Sequence, residues 1–113
     1  MTRMWCVPPA ILCRNHLLGE HKELHQLVGA IRKGRWKVIE GHAKLGQVET
    51  RSITARHEEI VQELLRRGYS HRSPLPDYPP TDIGRVDPTA NLDDLTTRCG
   101  ECLRRYALYR RTH

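Results

Sequence analysis

Residues 16–33, HLLGEHKELHQLVGAIRK, constrain the fold more than any other stretch of the chain. At about 100° per residue, Leu17, Leu24, Leu27, Val28 and Ile31 fall on one apolar stripe, the pattern of an amphipathic helix with one face for a core. His16, Glu20 and Glu23 run along one edge of that stripe at i, i+4 and i+7, and Lys22, Gln26 and Lys33 lie on the opposite flank. Carboxylates against a buried face are either solvated at its wet border or poorly solvated with shifted pKa values. The wheel alone favours the border.

A second amphipathic pattern covers 52–67, where Ile53, Ile60, Val61, Leu64 and Leu65 recur at helical spacing and Gly68 stands where a helix end needs it. A third opens at Asn91 as N-cap, carries Asp93 and Asp94 in its first turn, and turns Leu92, Leu95, Cys99, Cys102, Leu103 and Tyr106 inward. Gly100 weakens that helix by about 1 kcal/mol relative to alanine. Residues 35–51 read as a loop with at most one short helical turn, because Gly41 and Gly46 interrupt them. Residues 70–90 hold five of the seven prolines and read as coil laid over the helices, since so many missing amide donors exclude regular structure. No alternating strand pattern of useful length is present. The expected architecture is all-α: a compact single domain, residues 1–113, of three main helices with long connecting loops.

A chain of 113 residues buries roughly two-thirds of its unfolded surface, enough for one modest core. Phe is absent, so Leu, Ile and Val must build it. The formal charge of +6 favours an anionic partner, and +4 of it falls between Arg98 and His113, where five arginines face one acid. No stretch approaches the roughly 20 apolar residues of a membrane span, and the first residues lack the pattern of a secretory leader. A cytoplasmic protein with no membrane partner and with reduced cysteines is expected. Cys99 and Cys102 have half the spacing of a zinc site, but no second C-x-x-C pair exists. Cys6, Cys13 and several histidines could complete the site only if the fold brings them close. On a helix the two cysteines also share the apolar face, and packing is the preferred reading, with no metal and no cofactor expected.

Met1-Thr2-Arg3, the run from His16-Leu17 through Glu20 to Glu23-Leu24, and Gly29-Ala30 with Arg32-Lys33 together resemble the pyrimidine-dimer DNA glycosylase (phage endonuclease V) family. The match needs no gap over residues 1–33, fades, and returns around Glu63 to Tyr69; the C-terminal third matches poorly. The resemblance implies a DNA repair glycosylase with abasic-site (AP) lyase activity, a monomer acting on damaged double-stranded DNA. It makes the α-amine of Thr2, exposed by removal of Met1, the nucleophile, and Glu23 the carboxylate beside it. By the same register Arg3, His16 and Lys22 fall among the DNA-contacting or site-lining positions, and Glu20, Gln26 and Lys33 on the same helix are counted with them as DNA-binding candidates. Lys22 and Gln26 stand where the phage enzyme carries arginines, and His21 where it carries a tyrosine. Its aromatic C-terminal tail is replaced by Tyr106, Tyr109 and the arginines 104, 105, 110 and 111, which the charge pattern assigns to DNA backbone contact. The chemistry is self-consistent: an α-amine has a pKa near 7.7–8, so much of it is neutral at cellular pH and able to attack a sugar C1′. The alternatives are a non-catalytic basic DNA-binding or zinc-stabilised accessory module, and a relative that binds DNA without cutting it. The accessory module explains the charge and the cysteines but accounts neither for Thr2-Arg3 nor for carboxylates at the stripe's edge.

Overall fold

The computed structural model describes residues 3–71 and 73–113, with five α-helices and no strand among them. Thr2 lies outside the described residues. Helix α1 is Arg14–Arg32, α2 Trp36–Lys44, α3 Ile53–Arg66, α4 Pro88–Arg98 and α5 Gly100–Arg110; two 3₁₀ turns, Pro9–Ile11 and Thr50–Ser52, precede α1 and α3. None of these helices is long and apolar enough to cross a membrane.

The stripe on α1 is buried as its spacing predicts, and Ile53, Ile60, Val61 and Leu64 of α3 are buried too. α1 packs on α3 and α2, α4 packs on α5, and α5 covers the Pro9–Ile11 turn. Met4, Trp5, Val7, Ile11 and Leu12 are also buried, so the N-terminal segment threads through the core instead of lying on it.

Three of the expected connections change. Residues 35–51, read as loop, contain α2, because a single Gly41 costs a helix only about 1 kcal/mol and Ile39 offsets it by burial. Gly46, taken as an interruption, is the stop: with φ 69° it lets Gly46 N–H reach the Ala43 carbonyl and Gln47 N–H the His42 carbonyl. The helix expected from Asn91 starts earlier, at Pro88, with the Asp87 carboxylate accepting from the Thr89 and Ala90 amides at 3.0 and 3.2 Å. It also breaks at Cys99, whose extended backbone (φ −128°, ψ 107°) separates α4 from α5 just before Gly100.

Residues 73–87 of the proline-rich stretch are coil, as expected, while its last three, 88–90, open α4. Thr50 N–H donates to the Ile83 carbonyl (3.0 Å), Ile83 N–H to Thr50 Oγ1 (2.7 Å) and Val86 N–H to Glu49 Oε1 (3.0 Å), while Leu75, Tyr78, Ile83 and Val86 pack on the core. Gly84 has φ 83°, and a Cβ there would sit 2.2 Å from the Val48 carbonyl oxygen. Gly84→Ala is therefore expected to cost about 1–2 kcal/mol for the left-handed backbone and about 1–3 kcal/mol for the overlap. A urea titration that moves by less than 1 kcal/mol would show that this crossing yields.

Candidate active site

A pocket of about 240 Å³ opens between the N-terminal segment, α1 and α4, lined by Arg3, Trp5, Asn15, His16, Gly19, Glu20, Glu23 and Arg98. Glu23 is carried one turn beyond Gly19, which has no side chain to close the mouth. Its Oε2 accepts the backbone N–H of Arg3 at 2.9 Å. The Arg3 guanidinium donates to Asn91 Oδ1 (2.9 Å), pairs with Asp94 Oδ2 (2.8 Å) and lies 4.0 Å over the Trp5 ring. Asn91 also donates to the carbonyls of Met4 (3.2 Å) and Trp5 (2.9 Å). The first turns of α4 thus hold residues 3–5 in place beside α1. Trp5 meets the edge of His16 at 5.7 Å, and Arg98, itself paired with Asp94, closes the same wall.

Beneath the pocket Glu20 is wholly buried and committed to Arg56: Nε to Oε2 at 2.6 Å and Nη2 to Oε1 at 2.9 Å. Arg56, 3% exposed, also donates to the Val7 carbonyl at 2.6 Å. A bidentate pair of this kind locks α1 to α3 and to the N-terminal segment at one point. Burial pushes the Glu23 carboxyl above its ordinary range, the Arg3 amide opposes this, and the Glu20 charge adds to it. Burial and the Arg98 charge push the His16 imidazole down, towards its neutral form.

Of the residues singled out in the sequence, the pocket brings together Arg3, His16, Glu20 and Glu23. Glu20 forms part of its floor but presents no free carboxylate. Lys22, Gln26 and Lys33 are exposed on the outer flank of α1. Arg104, Arg105, Arg110 and Arg111 lie on or just beyond α5, which packs on the Pro9–Ile11 turn and contributes no residue to the pocket. Arg105 donates through Nε to the Ala10 carbonyl at 2.9 Å, Arg104 pairs with Glu101, and Arg110 sits 5.4 Å over Tyr106. Sequence reasoning missed Trp5, Asn91, Asp94 and Arg98. Asn91 and Asp94 carry a helix-start signal that accounts for their type without any site, so nothing local marks them.

Two further groups carry metal-ligand chemistry. The donor atoms of Cys13, His16, Cys99 and Cys102 lie within 4.8 Å of one another, and so do those of His21, His25, His57 and His71. In the second group burial and the like charges of His25, His57 and His71 push His21 down to about 4.

No curated protein and no solved structure matches the chain. A family model described as pyrimidine dimer DNA glycosylase matches residues 1–77, a span that includes Arg3, His16, Glu20, Glu23 and Arg56. With more than half of its length matched, and with a carboxylate of α1 bonded to the third backbone amide, the chain belongs to the pyrimidine dimer DNA glycosylase family.

Proposed function

We propose that this protein excises a damaged pyrimidine from double-stranded DNA and then cleaves the abasic site, using the α-amine of Thr2 as nucleophile and Glu23 as its carboxylate partner. The observation that carries this reading is the 2.9 Å bond from Arg3 N–H to Glu23. One residue spans at most about 3.6 Å, which supports pairing an amine on residue 2 with that carboxylate. The neutral amine attacks C1′, the base leaves with the bonding pair, and loss of the C1′–O4′ bond gives a protonated imine. Abstraction of a C2′ proton then expels the 3′ phosphate. Glu23 stabilises the cationic sugar and carries protons between these steps. The site depends on removal of Met1, since an acylated residue 2 has no basic amine.

The test is borohydride reduction during reaction with an abasic-site duplex. The expected product is a covalent protein–DNA adduct that peptide mapping places at residue 2. An adduct on a lysine, or one formed by protein that keeps Met1, overturns the assignment. The absence of any adduct with bound DNA favours the non-catalytic reading.

Exposed cations are spread over the surface, among them Lys22 on α1, Lys33 at its C-cap, and the adjacent Arg110 and Arg111 at the end of α5. We expect the last two to grip phosphates without regard to sequence or damage. Replacing Arg110 and Arg111 by alanine should weaken binding to damaged and intact duplexes by similar factors and flatten the log–log salt slope by up to about two units. Loss of damage discrimination at constant slope would instead make this end part of the lesion-reading surface.

A further inference from the structure

We infer that Cys13, His16, Cys99 and Cys102 form a tetrahedral zinc site that ties the helices beyond residue 77 to the family-matched segment. The two halves have the same local design. Cys13 and His16 are the N-cap and third residue of α1; Cys99 and Cys102 are the N-cap and third residue of α5. Three-residue spacing at a helix start turns both side chains of a pair to the same side, and here the two starts face each other.

A tetrahedral zinc with bonds of about 2.3 Å to sulfur and about 2.0–2.1 Å to nitrogen requires sulfur–sulfur edges of about 3.8 Å and sulfur–nitrogen edges of about 3.5 Å. The structure has Cys99 Sγ to Cys13 Sγ at 3.9 Å, Cys102 Sγ to His16 Nδ1 at 3.5 Å and Cys13 Sγ to His16 Nδ1 at 3.1 Å. Four donors within 4.8 Å enclose one ion and are too close for an iron–sulfur cluster. The surrounding amides suit thiolates: Cys13 N–H points at Cys102 Sγ (3.2 Å) and Cys102 N–H at Cys99 Sγ (3.5 Å). Three soft thiolates and one imidazole select zinc among common cations, and the thiols release their protons as it binds. The ion also fixes the His16 ring, whose edge supports Trp5 in the pocket wall.

Protein purified without chelator should carry zinc, and cobalt(II) exchanged into it should show intense sulfur-to-cobalt charge-transfer bands with tetrahedral d–d absorption. In the metal-loaded protein alkylation should spare Cys13, Cys99 and Cys102, and it should label them after chelation. Cys99→Ser with Cys102→Ser should abolish the charge-transfer bands; because Cys102 is a core residue and its loss also weakens folding, the cobalt spectrum of the wild type is the deciding measurement. Zinc-free protein that takes up cobalt without sulfur bands, or a Cys13–Cys99 disulfide in freshly reduced and purified protein, overturns the proposal.

A different observation carries a second ion. His21 and His25 on α1, His57 on α3 and His71 converge, with His21 Nε2 and His71 Nε2 3.0 Å apart against a tetrahedral nitrogen–nitrogen edge of about 3.3 Å. His25 Nε2 and His57 Nε2 are buried with no hydrogen-bond partner among the described residues. Two buried imidazole nitrogens left unpaired are costly, and a shared divalent zinc-class ion satisfies both. Zinc titration of the stripped wild type should show two equivalents, with His71→Gln weakening one of them by more than the roughly 10–100-fold that loss of an outer-shell partner costs and leaving the sulfur bands of the cobalt form intact. A single equivalent in the wild type, or two that His71→Gln leaves unaltered, refutes the four-histidine site.

Discussion

Glu23→Gln is expected to reduce cleavage of an abasic-site duplex by at least about 10²-fold while leaving folding and DNA affinity close to wild type. Glutamine keeps the length of the side chain, and its carbonyl oxygen still accepts the Arg3 amide, so the N-terminal segment stays where α4 and α1 hold it. What is lost is the negative charge that stabilises a cationic sugar and the group that moves protons. Because burial raises the Glu23 carboxyl, the wild-type rate should fall as pH drops through a point above the ordinary carboxylate value of about 4.3. That acidic limb should vanish from the residual activity of the variant. Single-turnover rates across pH, with binding measured by anisotropy, check both statements. A Glu23→Gln protein that cleaves at the wild-type rate assigns the carboxylate to holding Arg3 alone.

The largest stability effect is expected at the Glu20–Arg56 pair. Glu20→Leu leaves the Arg56 guanidinium buried without its bidentate partner, which costs about 3–5 kcal/mol. A domain of this size has about 5–15 kcal/mol in total, so the variant should be partly unfolded at 37 °C or lose most of its resistance to urea. Glu20→Met with Arg56→Met should recover much of the loss, because two apolar chains of similar length remove the uncompensated charge together with its partner. Denaturant midpoints at constant slope are the measurement. A double variant no better than Glu20→Leu would mean that the Arg56 bond to the Val7 carbonyl supplies most of the stability.

The two carboxylates of α1 show where reading along the chain stops. Their spacing puts both at the edge of the apolar stripe, and periodicity gives them the same environment. Arg56, thirty-six residues away, turns Glu20 into a buried structural anion; the Arg3 amide and an open pocket make Glu23 the available one. The same limit applies to the cysteines. C-x-x-C at 99–102 looks like half a metal site in the sequence, with Cys6, Cys13 and several histidines open as candidates to complete it, and only the fold singles out Cys13 and His16. Both pairs face each other only because α5 packs on the Pro9–Ile11 turn.

What the sequence by itself determined is local and periodic: an all-α chain, the buried faces of α1 and α3, the glycine that ends α3, and an ordered proline-rich coil. Those follow from side-chain spacing and backbone preference over a few residues, and neighbours in the chain are enough to express them. The cap at Asp87 is local too, an Asp-Pro helix start whose carboxylate accepts amides two and three residues on. Only the tertiary structure decided the break at Cys99, beyond which α5 packs on the Pro9–Ile11 turn. It alone also decided which polar residues meet. Arg3 with Asn91, Glu20 with Arg56, and Cys13 with Cys99 are pairs separated by 88, 36 and 86 residues. Their energies arise from desolvation and direct contact, which exist only once the core has closed around them.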